Sequence, residues 1–230
     1  KVGEVVKAYV DKEKRNNIAI HHSNAHLIQA ALRKVLGEEV HQAGSYVDEH
    51  RMRFDFTFSR AMTHDEIVKV ENLMNKWIGE GYKVNTNVMG IKEAELTGAT
   101  ALFGEKYGDT VRVVSIEKDT ENGVDCISKE FCAGTHARQL VDLRVVKVVS
   151  ESAIAAGTRR IEAAVSNSAI EYLNAKSAEI DKLSTKFKSH FDEVVERVEK
   201  LTDENKELQK HVEKLEEENA DLVFTDLEPV

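Results

Sequence analysis

Two short motifs about a hundred residues apart constrain this chain more than anything else in it. His22-Ser23-Asn24-Ala25-His26 is an HxxxH, and Cys132-Ala133-Gly134-Thr135-His136 is a CxxxH. Each places two potential metal ligands four residues apart. Together they offer three imidazoles and one thiolate, the donor set that tetrahedral Zn2+ prefers. Four protein ligands would close the tetrahedron, which is the structural arrangement, whereas activation of water needs an open position. The reading taken here is three firm ligands and an exchangeable fourth, with Cys132 the member most suited to a second role.

The chain has 230 residues, enough for one sizeable core plus an appendage. Its two cysteines, Cys126 and Cys132, do not make a disulfide scaffold, and there is no signal peptide or long apolar run, so a reducing cytoplasm and no membrane are expected. The net charge of -9 argues against nucleic acid as a partner only until it is divided along the chain. Residues 1–176 carry 24 basic against 25 acidic side chains, and residues 177–230 carry 8 against 16. The body is close to neutral and can still present a basic RNA-facing patch.

Hydrophobic patterning predicts an α+β fold, an antiparallel sheet with helices, followed by a long C-terminal helix. Residues 4–12 alternate like a strand, and the start Lys1-Val2-Gly3 reads as a cut through a larger protein. Ser23 is placed as the cap of a helix running to Gly37, which would set His22 and His26 one turn apart at its N-terminus. Val40 to Val47 and Met52 to Phe58 form a hairpin around a polar turn, with Met52, Phe54, Phe56 and Phe58 on one face. Thr63 and Glu66 make a capping box for a second helix that ends at Gly79 and Gly81. Further strands are predicted at about 82–89, 111–117, 124–128, 143–149 and 159–165.

From about residue 168 the period becomes seven. Ile180, Phe187, Val194, Leu201, Leu208, Leu215 and Leu222 share one heptad site; Phe191, Val198, Asn205, Val212 and Asn219 occupy the site three residues earlier. Leucine at d, with valine and asparagine alternating at a, favours a parallel two-stranded coiled coil and hence a homodimer. The alternative is an amphipathic arm packed on its own body, which calls for a broader apolar stripe.

Beyond the metal motifs, His21–Leu27, Gln42–Val47, Arg53–Phe56, Ala101–Asp109, Ser128–His136 and Gly157–Ala163 occur in an order and spacing that resemble the editing domain of a bacterial-type alanyl-tRNA synthetase. The resemblance covers some three quarters of the chain. It implies an end of a preceding β-barrel-like segment over 1–15, the editing domain over 16–167, a coiled-coil dimerisation arm over 168–223 and a tail over 224–230. It implies hydrolysis of serine or glycine esters on the acceptor end of tRNA(Ala), with Zn2+ held by His22, His26, Cys132 and His136. It also implies that the alanine-activating domain is missing. Gln42 stands at the family's position for a pocket-lining glutamine.

Gly134 and Thr135 can aim backbone N–H groups at an oxyanion. Arg159 and Arg160 are candidates for the RNA backbone or 3′ end. Two departures from the family pattern are Ala133, where glycine is usual and where a methyl group could crowd the ester pocket, and an unusually regular zipper. His21 reads as a surface or strand-end residue, Cys126 as a small core residue, and Asp55 as a partner of Arg53. His41, His50 and His64 read as solvated. A free-standing trans-editing protein, the related domain of threonyl-tRNA synthetase, and a non-catalytic zinc-stabilised RNA-binding and oligomerisation module are the competing readings.

Overall fold

In the computed structural model, residues 2–101 and 107–225 are described, so Leu102–Lys106 of the Ala101–Asp109 segment lie outside the described residues. The chain divides into two compact units, Lys1–Tyr172 and Leu173–Val230.

The first unit opens without a strand. Residues 4–10 are irregular and exposed, and helix α1 then runs from Lys12 to Leu36. Asp11, not Ser23, is its cap: the Asp11 carboxylate accepts the Lys14 N–H at 3.0 Å. Ser23, His22 and His26 are therefore in mid-helix. Hairpin strands β1 (Gln42–Val47) and β2 (Met52–Thr57) follow as predicted, and helix α2 (His64–Glu80) starts with the predicted capping box. Thr63 N–H donates to Glu66 at 2.8 Å, and Glu66 N–H donates to the Thr63 hydroxyl at 3.2 Å. Gly81, at φ 75°, supplies the left-handed residue that ends α2, while Gly79 lies inside the helix.

Strands β3 (Lys83–Gly90), β4 (Thr110–Thr120), β5 (Gly123–Phe131), β6 (Val146–Ala155) and β7 (Thr158–Val165) match the predicted set. A short helix α3 (Ile91–Leu96) was not predicted. The strands form two antiparallel sheets instead of one, with orders β1-β2-β7-β6 and β3-β4-β5.

The main core joins Leu27, Ile28 and Leu32 of α1 to Phe54 and Phe56 of β2, Met74 of α2 and Ile161 of β7, all fully buried. Alternation along β2 explains this, because one pleat face carries every large apolar side chain inward. A smaller cluster joins Ala94, Val111, Val113 and Phe131 under the second sheet. Helix α1 touches β1, β2 and β7 of the first sheet and β5 of the second, so its two faces serve two sheets. That double role positions the site.

In the second part of the chain the predicted single helix is two. Helix α4 (Ser166–Phe187) ends before Lys188, which has φ 50°, and α5 (Val194–Thr225) begins after a short 3-10 turn at Phe191–Glu193. His190 and Glu193 form a reciprocal cap that competes with helix continuation at this point. Among the described residues, no helix is long and apolar enough to cross a membrane.

Candidate metal centre

The interior of α1 carries His22 and His26 on one face, and the loop after β5 carries Cys132 and His136. The four potential ligand atoms lie within 4.8 Å of one another. Cys132 Sγ is 3.5 Å from His22 Nε2 and 3.3 Å from His136 Nε2. A tetrahedral zinc with Zn–S near 2.3 Å and Zn–N near 2.0 Å would set sulfur and nitrogen about 3.5 Å apart, so the donor spacing fits this ion.

Three contacts orient the ligands. His26 Nδ1 lies 2.9 Å from Glu130 Oε2, leaving Nε2 for a metal. The Ser128 hydroxyl donates to Glu130 Oε1 at 2.7 Å and fixes that carboxylate. Ser23 Oγ accepts the Ala137 N–H at 2.9 Å and lies 3.2 Å from His136 Nδ1, tying α1 to the loop. This is why Ser23 is unavailable as a cap. From β4, the Arg112 guanidinium donates to the Gly134 carbonyl and anchors the loop from below.

Sequence reasoning missed Glu130 and gave Ser23 the wrong task. The signal for Glu130 was period-two spacing, since Ser128, Glu130 and Cys132 fall on one side of an extended segment.

The electrostatics follow from this packing. Burial alone would raise the Cys132 thiol, but hydrogen bonds from His136, His22 and His26 and the charge on His26 outweigh it and bring it to about 3. Burial would likewise lower His26, but the Glu130 carboxylate and the Cys132 sulfur raise it to about 10. Burial dominates at His136, whose pKa is lowered. With no metal bound, these shifts favour a thiolate at Cys132 beside a protonated His26. Zinc must displace the His26 proton below pH 10 but finds Cys132 already ionised above pH 3. Affinity is expected to rise about tenfold per pH unit between pH 7 and 9, with close to one proton released per zinc. Calorimetry in buffers of different ionisation enthalpy checks this; release of no proton would overturn it.

The remaining predicted residues separate into two groups. Gln42 joins His22, His26 and Cys132 around a small pocket of about 50 Å³, and its amide donates to Ser45 Oγ at 3.2 Å. Gly134 and Thr135 stand on the ligand loop, and among the described residues neither N–H donates to a backbone carbonyl outside the regular elements. Ala133 is exposed and does not line the pocket, so its methyl does not crowd it.

Arg159 and Arg160 lie elsewhere, on β7. Each is held in a two-pronged pair, Arg159 with Glu151 at 2.6 and 2.8 Å and Arg160 with Asp55 at 2.7 and 2.9 Å. Asp55 thus has Arg160 as its main partner, with Arg53 at 3.8 Å. His21 is buried and donates to the Asn17 carbonyl at 2.8 Å, away from the metal cluster. Cys126 is exposed on β5, not a core residue, while His41, His50 and His64 are exposed as expected.

The model of the threonyl and alanyl tRNA synthetase second additional domain matches residues 111–162, from β4 through the CxxxH loop to β7. Over 88% of its length the chain is 43% identical to a chloroplastic/mitochondrial alanine–tRNA ligase of Populus trichocarpa. Over 90% it is 45% identical to alanine–tRNA ligase 1 of Lachnoclostridium phytofermentans, and over 91% it is 42% identical to the enzyme of Synechococcus sp. strain JA-3-3Ab. The chain belongs to the alanine–tRNA ligase family.

It spans 20%, 22% and 23% of the length of these three ligases. The HxxxH half of the metal centre lies outside the matched domain model, which begins at residue 111. A role associated with a tRNA synthetase follows from the family, and the His/Cys cluster is a site that could hold a metal ion.

Proposed function

We propose that this segment hydrolyses the ester of serine or glycine wrongly attached to the acceptor end of tRNA(Ala). The observation that carries the reading is the meeting of Gln42, from the first sheet, with His22, His26 and Cys132 around one small pocket. A pocket of about 50 Å³ accepts a small aminoacyl group and excludes a bulky one.

An aminoacyl ester is already activated, so the site needs to place water, hold the developing oxyanion and reject the correct substrate. Zinc, when bound, supplies a Lewis acid for the ester carbonyl. The Gly134 and Thr135 N–H groups, which make no backbone hydrogen bond outside the regular elements, are the donors this reading assigns to the oxyanion. The Gln42 side chain donates through Nε2 to Ser45, and its carbonyl oxygen accepts from the substrate serine hydroxyl. Alanine has no such hydroxyl and would leave that acceptor unpaired, which is the kind of difference a polar site reads most sharply.

Deacylation of serine-charged tRNA(Ala) by the zinc-loaded protein tests the reading. Hydrolysis is expected to fall by about a hundredfold or more in Cys132→Ala and to lose its preference for serine over alanine in Gln42→His. No hydrolysis above background by the unmodified protein would favour the non-catalytic zinc-stabilised module.

The same reading makes α5 a homodimeric coiled coil. Val198, Leu208, Val212 and Leu215 are 40%, 64%, 51% and 43% exposed, an apolar seam at a and d sites that a second copy would cover. Concentration-dependent sedimentation is expected to show a dimer, and Asn205→Leu with Asn219→Leu to disturb its two-stranded state. A monomer throughout would refute the seam.

A further inference from the structure

His22, His26, Gln29 and Arg33 follow one another on α1 at steps of four, three and four residues, a single helical face. The first pair enters the metal cluster. The second pair lines a separate cleft of about 670 Å³ between α1, α2 and β5, well over the size of the pocket at the metal. Glu130 lines both spaces, so a single buried side chain stands between the cleft and the metal centre.

The lining combines features that suit a nucleotide. Trp77 and Ile127 supply apolar surface, and Lys34, Lys76 and Lys129 supply cations. The acids at the cleft already have partners: Glu38 pairs with Arg33, Glu130 with His26, and Asp125 accepts from the Tyr82 hydroxyl. Gln29 is 6% exposed, and neither its Oε1 nor Arg33 Nε has a hydrogen-bond partner in the protein. A buried acceptor and a buried donor one turn apart are costly to leave unmade, and a modest turn of either side chain offers them to the edge of a base. Seven residues separate His26 from Arg33, a span of about 10 Å along the helix axis. That is the distance of one or two nucleotides along a single strand.

We propose that this cleft seats a nucleotide of the single-stranded RNA 3′ end, one or two positions upstream of the ester presented to the metal centre. The proposal rests on the hydrolytic reading above and adds to it a site that holds the strand while the ester reacts. Single-strand recognition of this kind combines an apolar platform with a cationic groove.

Trp77 is the only tryptophan in the chain and reports on the cleft directly. Titration of the zinc-loaded protein with the trinucleotide CCA is expected to change Trp77 fluorescence saturably, with binding about tenfold weaker in Gln29→Leu and in the paired surface variant Lys34→Gln/Lys129→Gln. An equal change with inorganic phosphate alone, or none with CCA, would overturn the proposal.

Kinetics separate it from the parent reading. The lysine variant is expected to raise KM for serine-charged tRNA(Ala) about tenfold while hydrolysing a seryl ester of adenosine as the unmodified protein does. If neither substrate is hydrolysed by the unmodified protein, the editing reading fails. If both are hydrolysed with KM unmoved by the variant, the nucleotide site alone fails.

Discussion

Gly134→Ala is expected to abolish tight metal binding while leaving the fold intact. A Cβ built at residue 134 would stand 2.0 Å from His22 Cε1 and 2.4 Å from its Nδ1. No carbon contact survives at that distance, so either the loop or the imidazole must move. The loop is fastened on one side by Ser23 to Ala137 N–H and on the other by Arg112 to the Gly134 carbonyl. The His22 ring lies tilted against that of His136, with centroids 4.2 Å apart, so its displacement disturbs a second ligand as well. The main core lies on the opposite face of α1, around Leu27, Ile28 and Phe54, and should not feel the change. Zinc affinity measured by chelator competition should fall at least about hundredfold, beyond what losing an outer-sphere contact causes. Ala133→Gly, one residue away at an exposed position, is the control and should bind zinc as before. Retention of zinc within threefold by Gly134→Ala would show that the loop adapts, and would remove close packing as the reason for glycine there.

The elements that could be read from the sequence are those specified by neighbours in the chain. The β2 alternation at Met52, Phe54 and Phe56 and the Thr63–Glu66 box depend on local geometry, and both were legible. Elements whose role is set by a distant partner were not. Ser23 has the chemistry of a cap, but its hydroxyl is committed to Ala137 N–H, far along the chain, and the helix instead starts at Asp11. The alternation of residues 4–12 meets no partner strand among the described residues, so it does not become one. The heptads run unbroken through Phe187 and Phe191, yet the His190–Glu193 cap interrupts the helix between them. At the site, although only the fold brings the two pairs together, each pair was plain from its spacing, because residues four apart on a helix or in a tight loop already converge. The environment was not. Glu130 stands opposite His26 only because α1 crosses β5, and Arg159 and Arg160 meet Glu151 and Asp55 only through the register of β7 with its neighbours.

Glu130→Ala is expected to weaken zinc binding by about tenfold to a hundredfold near pH 8 and to flatten its pH dependence. Glu130 is 9% exposed, with one oxygen 2.9 Å from His26 Nδ1 and the other accepting from Ser128. Its charge does two things: it fixes the ring with Nε2 toward the other ligands, and it favours positive charge on that ring. In the metal-free protein that charge is a proton, held to about pH 10. Once the carboxylate is removed, only the Cys132 sulfur is left to oppose burial and the His26 pKa falls, so at neutral pH less of the proton remains there to be displaced. Zinc carries twice the charge of the proton it replaces, so the carboxylate stabilises the metal-bound form more than the protonated one. Its loss therefore weakens binding even though competition from the proton is also lost. The two effects have opposite pH signatures. Proton release should drop from about one per zinc toward zero, and the rise in affinity between pH 7 and 9 should largely disappear. Glu130→Gln keeps an acceptor for the ring N–H but not the charge, so it should retain more affinity than alanine and show the same flat profile. A variant that binds zinc weakly but keeps the steep profile would mean that another group carries the proton, and Glu130 would then act on ring orientation alone.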